Sequence, residues 1–141
     1  MKFASILLVI LLLGGCATGP TLYSEAAPVS ASNILDGYQK FSQPKEGFIR
    51  VIIVRDTGML GAASPAKLSI DGEAVAKFWS GERLELFLPP DTYVFALEPS
   101  PRLLGSVAEH EVVIKAGKPT AFRIALDLKG TFSLQRSTLL E

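Results

Sequence analysis

AKLSIDGEAVAKFWSGERLELFLPPDTYVFALE, residues 66–98, is the stretch whose reading decides the fold. Asp71-Gly72 separates two short runs, AKLSI (66–70) and EAVAKF (73–78), and both turn residues tolerate the positive φ that a tight hairpin needs. Ser80-Gly81 then turns the chain into RLELFL (83–88), where Leu84, Leu86 and Leu88 alternate with Arg83 and Glu85. That period of two belongs to a strand with one buried face. Pro89-Pro90-Asp91 ends it, because proline has no N–H to give a ladder, and TYVFALE (92–98) begins the next strand.

The same pattern extends in both directions. FIRVIIVR (48–55) carries a Val-Ile-Ile-Val run expected of a strand covered on both faces. After the proline-broken loop PSPRLLGSVA come EHEVVIK (109–115), the turn Ala116-Gly117-Lys118, and PTAFRIALDL (119–128), in which Phe122, Ile124, Leu126 and Leu128 share a face. Lys129-Gly130 leads to TFSLQRS (131–137), with Phe132 and Leu134 inward. Eight candidate strands and no helical period predict an all-β chain, a small β-sandwich of about seven to eight strands over residues 47–141.

Upstream the text changes character. Met1-Lys2 precedes an apolar run, Phe3 to Leu13, which as a helix would reach about 16 Å, half of a hydrocarbon core of about 30 Å. It reads as a signal-peptide core. Leu13-Gly14-Gly15-Cys16, which contains the chain's one cysteine, resembles the lipobox of bacterial lipoproteins. The resemblance implies peptidase recognition of Leu13, Gly14 and Gly15, removal of residues 1–15, and acylation of Cys16. Several acyl chains on one residue anchor a protein far more firmly than a single myristoyl chain. Ala17 stands where inner-membrane lipoproteins of enteric-type bacteria carry aspartate, which implies an outer-membrane lipoprotein facing the periplasm. Residues 16–46, with prolines at 20, 28 and 44 and no sustained period, predict a flexible tether of root-mean-square span roughly 30 Å. Within it, Asn33 to Phe41 could form a helical turn or dock on the domain.

Four segments of the β-rich text, VIIVRDTG, KLSIDGEAVAKFWSGE, LFLPPDTYVFAL and VVIKAGKPTAFRI, together resemble bacterial lipoprotein domains in the style of the PEGA and transthyretin-like sandwiches. The resemblance covers roughly residues 47–126 and implies a sandwich without assigned catalytic residues.

Composition narrows the functional classes. Fourteen basic and fourteen acidic residues balance, so no basic field marks a nucleic-acid partner. One cysteine cannot close an internal disulfide and one histidine cannot build a multi-histidine metal site, so no metal or cofactor is expected.

Candidate chemistry is sparse. In Glu109-His110-Glu111, strand alternation turns both glutamates away from the imidazole, and His110 shares its face with Val112 and Ile114, which makes it structural. Asp56-Thr57-Gly58 matches the aspartic-protease triplet on three residues only; a glycine-bearing connection is the plainer reading. Asp71, Glu82, Glu85 and Asp91 fall in turns or outward positions. No catalytic residue is assigned.

Binding candidates are clearer. A two-residue turn at Asp71-Gly72 would put Leu68 opposite Val75 and bring Trp79 onto their face, whereas a three-residue turn would bring Phe78 inward instead. Both rings cannot face one core from a regular strand, and both pack only if the strand ends at Lys77. Trp79 is therefore one candidate contact. Leu103 and Leu104, adjacent on a loop with no periodic reason for burial, form another. The expected function is a lipid-anchored, non-enzymatic interaction or accessory module of the cell envelope, held to the membrane through Cys16 and contacting an envelope protein or glycan. A carbohydrate- or peptidoglycan-binding module is the alternative, and a small enzyme built around His110 a third reading.

Overall fold

Val51 to Val54 run through the middle of a five-stranded sheet in the structure, a computed structural model that describes residues 18–59 and 61–138. Leu13, Gly14, Gly15 and Cys16 lie outside the described residues. The fold is all-β. Its strands are β1 (Ala27–Pro28), β2 (Ile49–Arg55), β3 (Ala66–Ile70), β4 (Glu73–Phe78), β5 (Glu82–Leu88), β6 (Thr92–Pro99), β7 (Ala108–Val113), β8 (Thr120–Leu126) and β9 (Phe132–Ser137). One sheet has the order β1-β5-β2-β8-β9 and the other β4-β3-β6-β7. β1 pairs with β5 and β2 with β8 in parallel; the other pairings are antiparallel. Helical structure among the described residues is limited to three short 3₁₀ turns.

Strand alternation supplies the core. Val51 and Ile53 of β2 meet Leu68 and Ile70 of β3, Leu84, Leu86 and Leu88 of β5, and Phe95 and Leu97 of β6 in one buried cluster. The tilted rings of Phe95 and Phe122 join the two sheets at a centroid distance of 6.0 Å. The opposite face of β2 is buried as well, Ile52 and Val54 packing with Ala26, Ala121 and Tyr23.

The hairpin resolves the Phe78 and Trp79 alternatives by a third route. Asp71 and Gly72 both have positive φ, 49° and 83°, and Ile70 pairs with Glu73, so the turn has two residues. The register then shifts between Leu68 and Ser69, and Leu68 faces Ala76 rather than Val75. This bulge in β4 buries Val75 and Ala76 together and brings Phe78 into the core opposite Ala66. Trp79 is left outside.

Residues 18–46 depart from the expected free tether. Gly19 pairs with Thr57, β1 lies alongside Glu82 and Arg83 of β5, and Ile34 bridges to Ala76 at the free edge of β4. Arg83 donates to the Tyr23 and Ala26 carbonyls at 2.7 and 2.5 Å and stacks over the Tyr23 ring. The Tyr23 hydroxyl donates to Glu85, which also receives two bonds from Arg50. Ile34, Tyr38 and Phe41 pack against the main core. The segment is a strap. Its physical reason is the apolar outer face of β2 and the unpaired edge of β4, both of which need a cover.

Candidate functional site

One end of the sandwich, the Arg55 pole, collects four connections: loops 56–65, 79–81, 100–107 and 127–131. Register brings them together, since Ala66 pairs with both Phe78 and Pro99, and Leu126 pairs with Phe132. The start of the strap joins them. The Thr18 hydroxyl bonds the Leu126 carbonyl at 3.5 Å, and a Cβ on Gly58 would stand 3.0 Å from Thr18.

Arg55 organises this pole from beneath. At the end of β2 it is 3% exposed, and its guanidinium donates to the carbonyls of Ser64 (2.8 Å), Phe78 (2.6 Å) and Gly61 (2.7 Å) while lying over the Phe132 ring. Burial lowers its pKa to about 10, opposed by the smaller effect of the Glu82 carboxylate. Loop 56–65 is thereby tied to the end of β4 through one side chain. Gly61 is needed at its place: φ is 71°, and a Cβ there would stand 2.3 Å from Leu126 Cδ2. Asp56, also buried, receives Arg123 Nε on both carboxylate oxygens at 3.1 Å. The aspartate of the Asp-Thr-Gly triplet is thus held in a buried ion pair.

Large apolar side chains crown these tied loops. Among the described residues seven large hydrophobics are exposed, and five belong to the Arg55 pole: Met59 (90%), Trp79 (39%), Leu103 (95%), Leu104 (57%) and Leu128 (81%). Leu104 and Leu128 edge a groove of about 390 Å³ whose walls include Pro99, Leu126 and Phe132. Trp79, Leu103 and Leu104 are at the surface; the lack of period points there for the two leucines, whereas the bulge in β4 is what leaves Trp79 outside. Leu128, expected inward with Leu126, is not buried. β8 ends at Leu126, and the Asp127 carboxylate accepts from the N–H groups of Lys129 and Thr131, folding a turn that leaves Leu128 outside. Met59 carried no pattern that could have marked it.

His110 sits elsewhere, where the edge strands of the two sheets meet. It lies opposite Phe95, and its Nε2 accepts the N–H of Leu134 at 3.2 Å. The bond satisfies a donor on the open side of β9 and requires the proton on Nδ1. Glu109 and Glu111 are exposed. The other carboxylates are engaged locally: Asp71 with the Val94 N–H, Glu82 with the Trp79 N–H, Asp91 with the Thr92 N–H. Hydrogen bonding from Arg50 holds Glu85 below its ordinary pKa against a smaller effect of burial. Among the described residues no buried side-chain nitrogen or oxygen lacks a partner, and no three His, Cys, Asp or Glu side chains converge. Compared with known proteins, the chain matches no family model and no curated protein at a significant level.

Proposed function

We propose that this protein is a lipid-anchored, non-enzymatic module of the bacterial cell envelope, a sandwich in the PEGA or transthyretin-like style that works by contact through its Arg55 pole. The observation that carries the reading is the gathering of five exposed large apolar side chains on four loops at one end. Solvated apolar groups that converge in this way are the substance of an interface, whose energy concentrates in a few buried anchors. The lipobox-like Leu13-Gly14-Gly15-Cys16 supports the envelope location, with Ala17 favouring the outer membrane. Asp56 and Arg55, the buried charged groups nearest the pole, are committed to an ion pair and to three carbonyls, which leaves contact rather than catalysis as its chemistry.

Two measurements test this. Mass spectrometry of the mature N-terminus should find an acylated Cys16, and Cys16→Ser should move the protein out of the membrane fraction. In cells, Leu103→Ser with Leu104→Ser should abolish complementation of a deletion phenotype at an unchanged melting temperature, because both side chains are solvated. A variant that complements fully would remove the pole from the function. Half-exposed Trp79 favours a second reading, a glycan contact; loss of binding to isolated peptidoglycan on Trp79→Ala would select it.

A further inference from the structure

We infer that the Arg55 pole rests on the lipid surface itself, with Met59, Leu103, Leu104 and Leu128 dipping among the headgroups and Trp79 at the water boundary. The inference rests on the proposed acylation of Cys16 and names what the pole touches.

Reach decides the matter. An extended chain spans at most about 3.6 Å per residue, so Cys16 lies within about 7 Å of Thr18 whatever the conformation between them. Thr18 is already part of the pole, bonded to Leu126 beside Gly58. The headgroup layer is itself about 5 to 7 Å deep on each side of the hydrocarbon. A cysteine whose acyl chains lie in the bilayer therefore brings the pole into the headgroups. A free tether of residues 16–46 would have allowed the domain to stand clear; the strap docked from Thr18 onward removes that freedom.

The chemistry of the pole agrees. Its four loops hold four charged residues: buried Asp56, exposed Asp127, Arg102 and Lys129. Asp127 is turned into its own loop, where it accepts two backbone N–H groups, while Arg102 keeps 76% of its side chain in water despite a 3.8 Å approach to Glu98. Apolar tips with a basic rim suit phosphate headgroups above acyl chains, and a tryptophan at the margin sits where indole rings prefer to lie. At the opposite end the connections carry Lys45, Glu46, Asp71, Asp91, Lys115 and Lys118 and none of the exposed large apolar side chains.

The test uses the full-length acylated protein in vesicles of phosphatidylethanolamine and phosphatidylglycerol. Trp79 is the chain's one tryptophan, so its fluorescence reports the pole directly. Lipids carrying a nitroxide near the headgroup should quench it severalfold more than lipids labelled near the chain end. A dye on Leu103→Cys should shift to the blue and be quenched likewise, while the same dye on Lys118→Cys stays water-exposed; acylation blocks Cys16 from labelling. Leu103→Asp with Leu104→Asp and Leu128→Asp should abolish most of the Trp79 quenching without loss of acyl groups. An acylated protein whose Trp79 and residue 103 dye remain unquenched overturns the docking and spares the anchor. Unquenched probes with a photo-cross-link from residue 103 to a protein overturn it in favour of a protein partner. A mature N-terminus without acyl groups overturns the anchor, and the docking with it.

Discussion

Gly37→Ala should destabilise the protein although it adds a single methyl group to a helix-like turn. Gly37 is buried where the strap crosses the edge of β4, and a Cβ there would stand 2.5 Å from the Ala74 carbonyl oxygen and 3.1 Å from Glu73 Cβ. The obstacle is backbone, so the strap must back away by roughly 0.9 Å to restore an ordinary contact, straining the 2.9 Å bond from the Leu35 N–H to the Val75 carbonyl and the packing of Ile34 and Tyr38. Overpacking of this kind costs about 1 to 3 kcal/mol. At about 4 °C per kcal/mol for a domain of this size, the melting temperature should fall by roughly 4 to 12 °C. Gly19→Ala is the matched control: its Cβ would meet nothing within 4 Å, so it should be neutral or raise stability by about 0.4 to 1 kcal/mol through the unfolded chain. Differential scanning calorimetry of both variants, with limited proteolysis of residues 18–46, reads the difference. Equal melting temperatures and an equally protected strap would refute the close docking of the strap on β4.

The remaining expectations concern charge and hydrogen bonding. Arg55→Met removes the donor to three carbonyls in loop 56–65 and at the end of β4, so despite relieving a buried charge it should cost about 3 kcal/mol in chemical denaturation and open that loop to protease. His110→Phe leaves the Leu134 N–H without its acceptor and should cost about 1 kcal/mol while leaving complementation intact; a folded variant that fails to complement would restore a role for the imidazole. Burial raises the phenolic pKa of Tyr38, helped by Glu85, and that of Tyr93, helped by Asp91 and Asp71. The folded state therefore keeps these protons where the unfolded chain has lost them, so their contribution is complete below pH 10.0 and is lost as pH rises through the folded values. Absorbance of tyrosinate on alkaline titration should show Tyr38 and Tyr93 ionising late, and denaturant midpoints should fall over the same interval.

Where sequence pattern succeeded, local physics was sufficient. Proline pairs, Asp-Gly and Ala-Gly-Lys punctuate the chain by backbone chemistry alone, and the eight segments between them match β2 to β9 to within two residues at each end. The bulge was out of reach of that reading. Whether Val75 or Ala76 faces Leu68 depends on which arrangement lets β4 bury both and still accept a strap at its edge, and neither term is local. The exposure of Leu103 and Leu104 was legible because adjacent leucines break any period. Their convergence with Met59, Trp79 and Leu128 was not, since it follows from sheet order, which brings ends of strands far apart in sequence to one pole.

The strap shows how a correct reading of one segment contained the correction of another. Val51 to Val54 were read as covered on both faces, and in an antiparallel sandwich the sheet's outer face ordinarily meets water. Something outside the eight strands therefore had to lie over Ile52 and Val54, and residues 18–46 were the only described chain left to do it. Their prolines and small residues looked like a linker because a strap needs neither period: it runs with a sheet only over the two residues of β1, so Tyr23, Ala26, Val29, Ile34, Tyr38 and Phe41 touch the domain at irregular intervals. Composition alone cannot separate a linker from a strap, whereas an unexplained apolar face elsewhere can. The consequence reaches the proposed function, because a docked strap fixes where the described chain leaves the domain, and the proposed lipid on Cys16 would then act at the end where, among the described residues, the exposed large apolar side chains gather.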